Sequence, residues 1–257
     1  MIKQLVFSLE SITENTEFPA SLSYKLFGFI CNSEKVDNEF KNLLHTSENF
    51  ISQYVKSEEK QLKWIVNLLN STACENLLSW FLSLKTIKLD SISFNVSLLE
   101  LLTLNSIEDL QKKSDDLFKN SDLIKITFSS PFSFRNYQKR NYTIFPEESC
   151  LFHSICARWS GNNEISSEFT VYDEEMISLI CDNVYIRSYS LSSHYFNFKG
   201  IKVPASRGHI IISVKKLPVA VKKLVYILLY YIRFSGVGVH TSLGMGGCYA
   251  EPYSFKK

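Results

Sequence analysis

Residues 2–9 alternate apolar and polar side chains, the period of a half-buried strand. Pro19 opens an apolar-periodic helix that runs to about residue 31, because the fixed φ of proline suits a first helical turn. A second helical stretch covers 33–44 and ends at His45. Residues 50–55 and 62–69 read as two strands joined by the polar turn 56–60, and Ser71 reads as the N-cap of a helix over 72–82. A strand region at 87–99, a charged helix at 106–118 and a strand at 123–128 follow. Strand, helix, strand, strand, helix, strand is the order of a ferredoxin-like fold, here with one additional short helix.

The second half shows a similar order without repeating the sequence. An irregular run at 129–135 leads to a helix over 146–159, broken by Gly161-Asn162-Asn163, and a further helix over 174–181. A long aromatic-rich hairpin region spans 184–214, Pro218 opens a strongly apolar helix to about 234, and a last strand lies near 248–253. The pattern predicts an α+β chain of two tandem ferredoxin-like domains, residues 1–122 and 123–257.

Composition narrows the class. With 45% apolar and 21% charged residues in 257, the chain has material for buried cores and is neither a disordered tail nor a coiled coil. The apolar run 224–232 is too short to cross a bilayer, and the N-terminal alternation lacks the apolar stretch of a signal peptide. A cytoplasmic protein with no membrane partner is the expectation. The six cysteines are scattered without a C-x-x-C pair, which indicates neither a disulfide framework nor a zinc site.

Charge is unevenly distributed. Residues 1–120 hold 12 Lys/Arg against 16 Asp/Glu, whereas 121–257 hold 16 against 10. Between Asp182 and Glu251 there is no acid, but there are nine bases, among them Arg187, Lys199, Lys202 and Arg207. Tyr185, Tyr189, Tyr195, Phe196 and Phe198 share that interval. Cations for phosphate and flat rings for unpaired bases are what single-stranded or looped RNA requires, although a solvated basic face beside core aromatics has the same composition.

Five of only nine glycines fall between Gly236 and Gly247, flanking His240-Thr241-Ser242-Leu243. The segment lacks the Lys-Ser/Thr of a P-loop, and it follows a helix rather than a strand, so it is neither of the common nucleotide fingerprints. Glycines at 236, 238, 244 and 246 would let several N–H groups converge on one phosphate, with Thr241, Ser242 and His240 beside them. A helix C-cap at Gly236 with a bulge near Gly246 would use the same residues structurally.

Gly-x-Gly-x5-Gly-x-Gly near the C-terminus, after a helix and with Thr241-Ser242-Leu243 inside it, resembles the terminal loop of the CRISPR precursor-RNA endoribonucleases. These are the Cas-six family of the repeat-associated RNA-binding superfamily. Phe128-Ser129-Ser130-Pro131-Phe132-Ser133-Phe134-Arg135, Phe145-Pro146, and the stretch from Phe152 to Arg158-Trp159 resemble the family's central motifs, and Leu44-His45 resembles its L-H position. The resemblance implies paired ferredoxin-like domains that bind CRISPR repeat RNA and cut it without metal or cofactor. In that family the ribose 2′-hydroxyl attacks the adjacent phosphate, leaving 5′-hydroxyl and 2′,3′-cyclic phosphate ends. Some relatives of the superfamily use the same fold only to hold guide RNA within an effector complex. Cleavage is the leading expectation here and guide-holding without cleavage the alternative, and a homodimer is compatible with either.

Cleavage of this kind needs proton transfer and donors for charge on phosphorus, and histidine suits the former near neutral pH. His45 stands where the resemblance implies the catalytic histidine. His240, in the glycine loop, is the second candidate; His153, His194 and His209 have weaker claims. Tyr24 matches a helix tyrosine of some members, although a tyrosine in the apolar-periodic stretch 22–29 is more often a core residue. The family's lysine has no clear counterpart: Lys56 lies 11 positions after His45 in a polar turn, and Lys41 lies one helical turn before it. Arg135 and Arg158 resemble central-motif positions suited to phosphate, or to a structural carboxylate. No set of side chains has metal-ligand spacing.

Overall fold

The computed structural model describes residues 1–12, 18–46, 49–58, 61–90, 92–119, 121–136, 141–167 and 173–254. The first half contains β1 (Ile2–Ser11), α1 (Leu22–Cys31), α2 (Asn38–Thr46), β2 (Ile51–Glu58), β3 (Gln61–Leu68), α3 (Ser71–Ser83), β4 (Thr86–Leu89) and β5 (Ile92–Leu104). Helix α4 (Ile107–Phe118) then leads to β6 (Leu123–Phe132), β7 (Phe134–Asn136), β8 (Asn141–Thr143), α5 (Glu148–Ser160), α6 (Asn163–Ser166) and α7 (Glu174–Asn183). The chain closes with β9 (Tyr185–Phe198), β10 (Ile201–Ser213), α8 (Val219–Ser235) and β11 (Cys248–Pro252).

Among the described residues two larger antiparallel sheets form, beside a two-stranded ribbon of β7 and β8. The first has the order β2-β3-β1-β5-β4 and the second β11-β6-β10-β9. With β4 set aside as an added edge, both place their four strands in the order fourth, first, third, second, the ferredoxin-like arrangement expected from element order.

Alternation explains the layering. In β1, Leu5, Phe7 and Leu9 turn to one face and pack with Leu26, Ile30, Trp64, Leu77 and Phe81 under α1 and α3. On the opposite face, buried Gln4, Ser52 and Asn67 form a polar ladder: the Gln4 amide donates to Asn67 at 2.8 Å, and the Asn67 amide donates to Ser52 Oγ at 2.8 Å. Ser52 Oγ in turn donates to the carbonyl of Phe234, and Arg233 Nε donates to Gln4 Oε1 at 2.9 Å. A helix leaves its last carbonyls unpaired, so the end of α8 supplies acceptors that this ladder satisfies. The second core centres on α8, which buries Leu224, Val225, Leu228, Leu229 and Ile232 against Ile124, Ile126, Phe128 and Ile210. Each such side chain removed from water contributes about 1.5–3 kcal/mol.

Several boundaries differ from the sequence expectation for local reasons. Helix α2 starts at Asn38, not 33, because Asp37 Oδ1 accepts from the amides of Glu39 at 2.8 Å and Phe40 at 3.1 Å. His45 therefore lies inside its last turn. Asn70, rather than Ser71, caps α3 by accepting from the Ala73 amide at 2.9 Å. The strand region at 87–99 is a hairpin, turned at Asp90 with φ 50°, and β6 continues through the supposedly irregular run to Phe132.

Candidate active site and nucleic-acid interface

Helix α1 carries the first candidate. It buries Leu22, Leu26, Phe27 and Ile30, while Tyr24 stays half-buried at its flank. The Tyr24 ring lies 5.9 Å from Phe198 at the end of β9, and Phe198 lies 4.9 Å from His240 in the glycine loop. Beneath them Phe196, Val203, Ala205 and Met245 form a small buried cluster against which Ala20 and Tyr24 pack. One turn further along α1, Phe27 meets the exposed His45 edge-on at 6.0 Å. Positions 24 and 27 are neighbours on a helix surface, so Tyr24 and His45 are both organised by the same side of α1. Lys41, which precedes His45 by a turn, donates to Asn38 Oδ1 at 3.2 Å.

The glycine loop is bound mostly to the protein itself. The amides of Gly236, Val237, Gly238, Val239, Gly246 and Gly247 donate respectively to Ile232 O, Gly246 O, Ser154 Oγ, Ser133 O, Pro131 O and Ser130 Oγ. Those N–H groups therefore hold the loop in place, and His240, at φ 59°, is half-buried on it, as are Gly238, Val239 and Leu243. A Cβ on Gly246, where φ is 71°, would stand 1.9 Å from Val237 O. Thr241 and Ser242 are buried, and their carbonyls face β2. At Gly244 a Cβ would meet Ser23 Cβ at 2.0 Å, so glycine permits the loop to touch the start of α1.

The predicted bases separate into different places. Lys199 (φ 48°) and Gly200 (φ 76°) form the two-residue turn of the β9–β10 hairpin, positive φ at both positions matching a twisted hairpin. Among the described strands, residues 201–205 of β10 pair with β9 alone, so the hairpin tip extends past the sheet. Lys202 pairs with Asn197 and shares a face with Tyr195, which is 69% exposed. Arg207 pairs with Ser192 on the other face, at a register shift that takes it out of the ladder with β6. Arg187 is exposed over the Tyr185 ring at 5.7 Å, and Arg135 is exposed on β7. Arg158 is structural in this arrangement, donating to Gly238 O at 2.8 Å.

Lys56 is not brought to His45. Strand alternation sends Ile51 and Val55 into the core under α1, and Lys56 to the opposite face with Ser52 and Tyr54. There it lines a cleft of about 310 Å³ with Arg207, His209, Thr127, Ser129 and Tyr249, and pairs with Glu58 at 3.3 Å. Hydrogen bonds from Lys63 and Lys56 hold the Glu58 carboxyl below the usual carboxylate range. His153 contacts Ser149 O at 2.7 Å and Glu174 at 3.5 Å, and His194 contacts Ser192 at 2.9 Å. Burial pushes the Cys31 and Cys181 thiols up to about 11 and Cys156 up to about 12, so none is poised as a nucleophile. Among the described residues no three His, Cys, Asp or Glu side chains group as metal ligands, and no helix is long and apolar enough to cross a membrane.

Residues 126–248 match the family model for CRISPR-associated endoribonuclease Cas6. A CRISPR-associated endoribonuclease Cas6 from Streptococcus thermophilus is 26% identical over 254 residues, which are 97% of this chain and 98% of that protein. By both matches the chain is similar to the Cas6 endoribonucleases. Solved structures carry the same fold: a Cas6 product complex superposes with a TM-score of 0.75 at 19% identity, over 98% of this chain and all of that one. A Thermus thermophilus Cas6 gives 0.70 at 16% identity, over 97% of this chain and 98% of that one. The family match begins inside β6 and ends at the first residue of β11, so it covers the central motifs, the long hairpin and the glycine loop, while His45 and Tyr24 lie outside it.

Sequence reasoning did not single out Gln53, which joins β2 to both α1 and the glycine loop. Its signal was a polar residue between Ile51 and Val55 at the inward positions of an otherwise apolar strand.

Proposed function

We propose that this chain cuts CRISPR repeat RNA by internal attack of a ribose 2′-hydroxyl, with His45 as the proton-transfer group and no metal ion. The observation that carries the reading is the alignment of Tyr24, Phe27 and His45 along one side of α1, next to the exposed hairpin and His240. His45 takes the 2′-hydroxyl proton, the 2′-oxygen bonds to phosphorus, and the bond to the 5′-oxygen breaks as that oxygen receives a proton. The products are a 5′-hydroxyl end and a 2′,3′-cyclic phosphate, and the released guide RNA is destined for a CRISPR effector complex. Tyr24 donates its hydroxyl toward the phosphate, where preorganised donors stabilise developing charge.

The hairpin supplies the grip. Tyr195 and Lys202 offer a stacking ring and a cation on one face, with Lys199 at the tip. Lys56 and Arg207 act together as phosphate contacts in the cleft between the two sheets, and Lys56 does not serve as a partner of His45. Arg135 and Arg187 extend the basic surface, while Arg158 and the loop glycines shape the backbone that presents His240.

Incubation of the purified chain with repeat RNA from its own locus in excess EDTA tests this directly. Cyclic-phosphate and 5′-hydroxyl ends at a single site are expected. Cleavage only after metal is added would overturn the mechanism, and tight binding without product from pH 6 to 9 would assign the chain a guide-holding role instead.

A further inference from the structure

Gln53 is fully buried in a strand whose neighbouring inward positions, Ile51 and Val55, are apolar. A buried amide in such a layer is destabilising unless its hydrogen-bonding groups are paired, and here they are paired in a directed way. The Trp64 indole donates to Gln53 Oε1 at 2.9 Å. An indole N–H can only donate, so it fixes which end of the amide is oxygen and turns the NH₂ the other way. That NH₂ donates to Ser23 O at 2.9 Å and to Ser242 O at 2.8 Å. The backbone repeats the link: Gln53 N donates to Thr241 O at 3.0 Å, and Val55 N donates to Ser23 Oγ at 3.0 Å.

Ser23 immediately precedes Tyr24, and Ser242 follows His240 by two positions. One amide therefore bridges the helix that carries Tyr24 and the loop that carries His240, two segments more than 200 residues apart in sequence. An apolar side chain of the same length would fill the volume without holding the two carbonyls. We propose that Gln53 is a positioning residue for RNA cleavage, one that sets α1 and the glycine loop at a fixed separation across the reacting phosphate. The proposal rests on the reading that α1 and the loop border one active site. Gln53 itself does not touch RNA; it acts through Tyr24 and His240. Small displacements of reacting groups cost about 100-fold in rate, which is the scale of the effect.

The test compares wild type, Gln53→Met and His45→Ala on repeat RNA. Gln53→Met keeps the side-chain length and removes both donors and the acceptor. We expect its RNA Kd to stay within about threefold of wild type while the single-turnover rate at saturating RNA falls about 10-fold to 100-fold. Amide hydrogen exchange is expected to quicken together in residues 22–27 and 240–247. Wild-type rate in the variant, or a loss of rate matched by an equal loss of affinity, would overturn the positioning role even if His45→Ala is inactive. If wild type itself fails to cut the RNA, the active-site reading fails, and exchange alone decides whether the amide couples the two segments. Should Gln53→Met not fold, native-state exchange of the wild-type chain replaces it: a shared opening of the two segments is expected, and independent opening would overturn the proposal.

Discussion

The β2–β3 and β9–β10 hairpins occupy the same topological place, second and third strands of a ferredoxin-like sheet, and have been put to opposite uses. Strands β2 and β3 have eight residues each and are mostly buried, open only toward their turn; they carry Gln53, Ser52 and Asn67, the side chains that tie the first sheet to α1, to the glycine loop and to the end of α8. Strands β9 and β10 have 14 and 13 residues, overshoot their neighbour β6, and expose Tyr189, Tyr195 and Ile201. Both hairpins alternate, but only the second continues beyond the strand that would cover it. Length makes the difference: residues 201–205 of β10 run past β6, and around them Tyr195 and Ile201 are exposed while Phe196, Val203 and Ala205 pack with Ala20 and Tyr24.

Experiments that separate brace from arm follow in order of size. His45→Ala, at the proposed catalytic position, is expected to slow single-turnover cleavage about 10²-fold or more while RNA affinity changes little, measured at saturating repeat RNA. A parallel loss of affinity would mean that His45 belongs to the gripping surface. Gly246→Ala places a Cβ against Val237 O at a positive-φ position and is expected to destabilise the fold by about 1–3 kcal/mol, read as a Tm lower by several degrees. An unchanged Tm would show that the loop is not the rigid partner of the brace. Lys56→Ala and Arg207→Ala are each expected to weaken RNA binding a few-fold and to lower the log Kd against log salt slope by about 0.7. The saturated cleavage rate of Lys56→Ala should stay near wild type; a 100-fold fall in that rate would return Lys56 to the catalytic group.

Much of this was legible in the chain alone because it depends on local physics. Alternation at 2–9, 50–55 and 62–69, proline at 19 and 218, and the polar turn at 56–60 each report the period or conformational restriction of a few residues. The resulting element order led to two ferredoxin-like sheets. The helix start at 33 was misplaced because the stretch before Asp37 has helical composition, while the capping carboxylate sits at 37. The β4–β5 hairpin was missed because its turn uses Asp90 at positive φ with no glycine to mark it.

Residue types also pointed to chemistry: histidine after a helix, bases interleaved with rings, and glycines gathered in one loop. What they could not reveal was company. The spacing of Lys56 from His45 along the chain carried no information on which face of β2 the lysine would take, and the pleat sends it away from α1. The glycine amides looked available for phosphate until tertiary contacts gave six of the loop's N–H groups partners at Ile232, Gly246, Ser154, Ser133, Pro131 and Ser130. Gln53 looked like an isolated polar residue until folding brought Ser23 and Ser242 to its amide. Sequence by itself determined the periodicities, the charge and the inventory of groups, since these are properties of neighbours in the chain. The tertiary structure alone decided which groups meet, because hydrogen bonds and ring contacts depend on distances of a few ångströms between segments far apart in sequence.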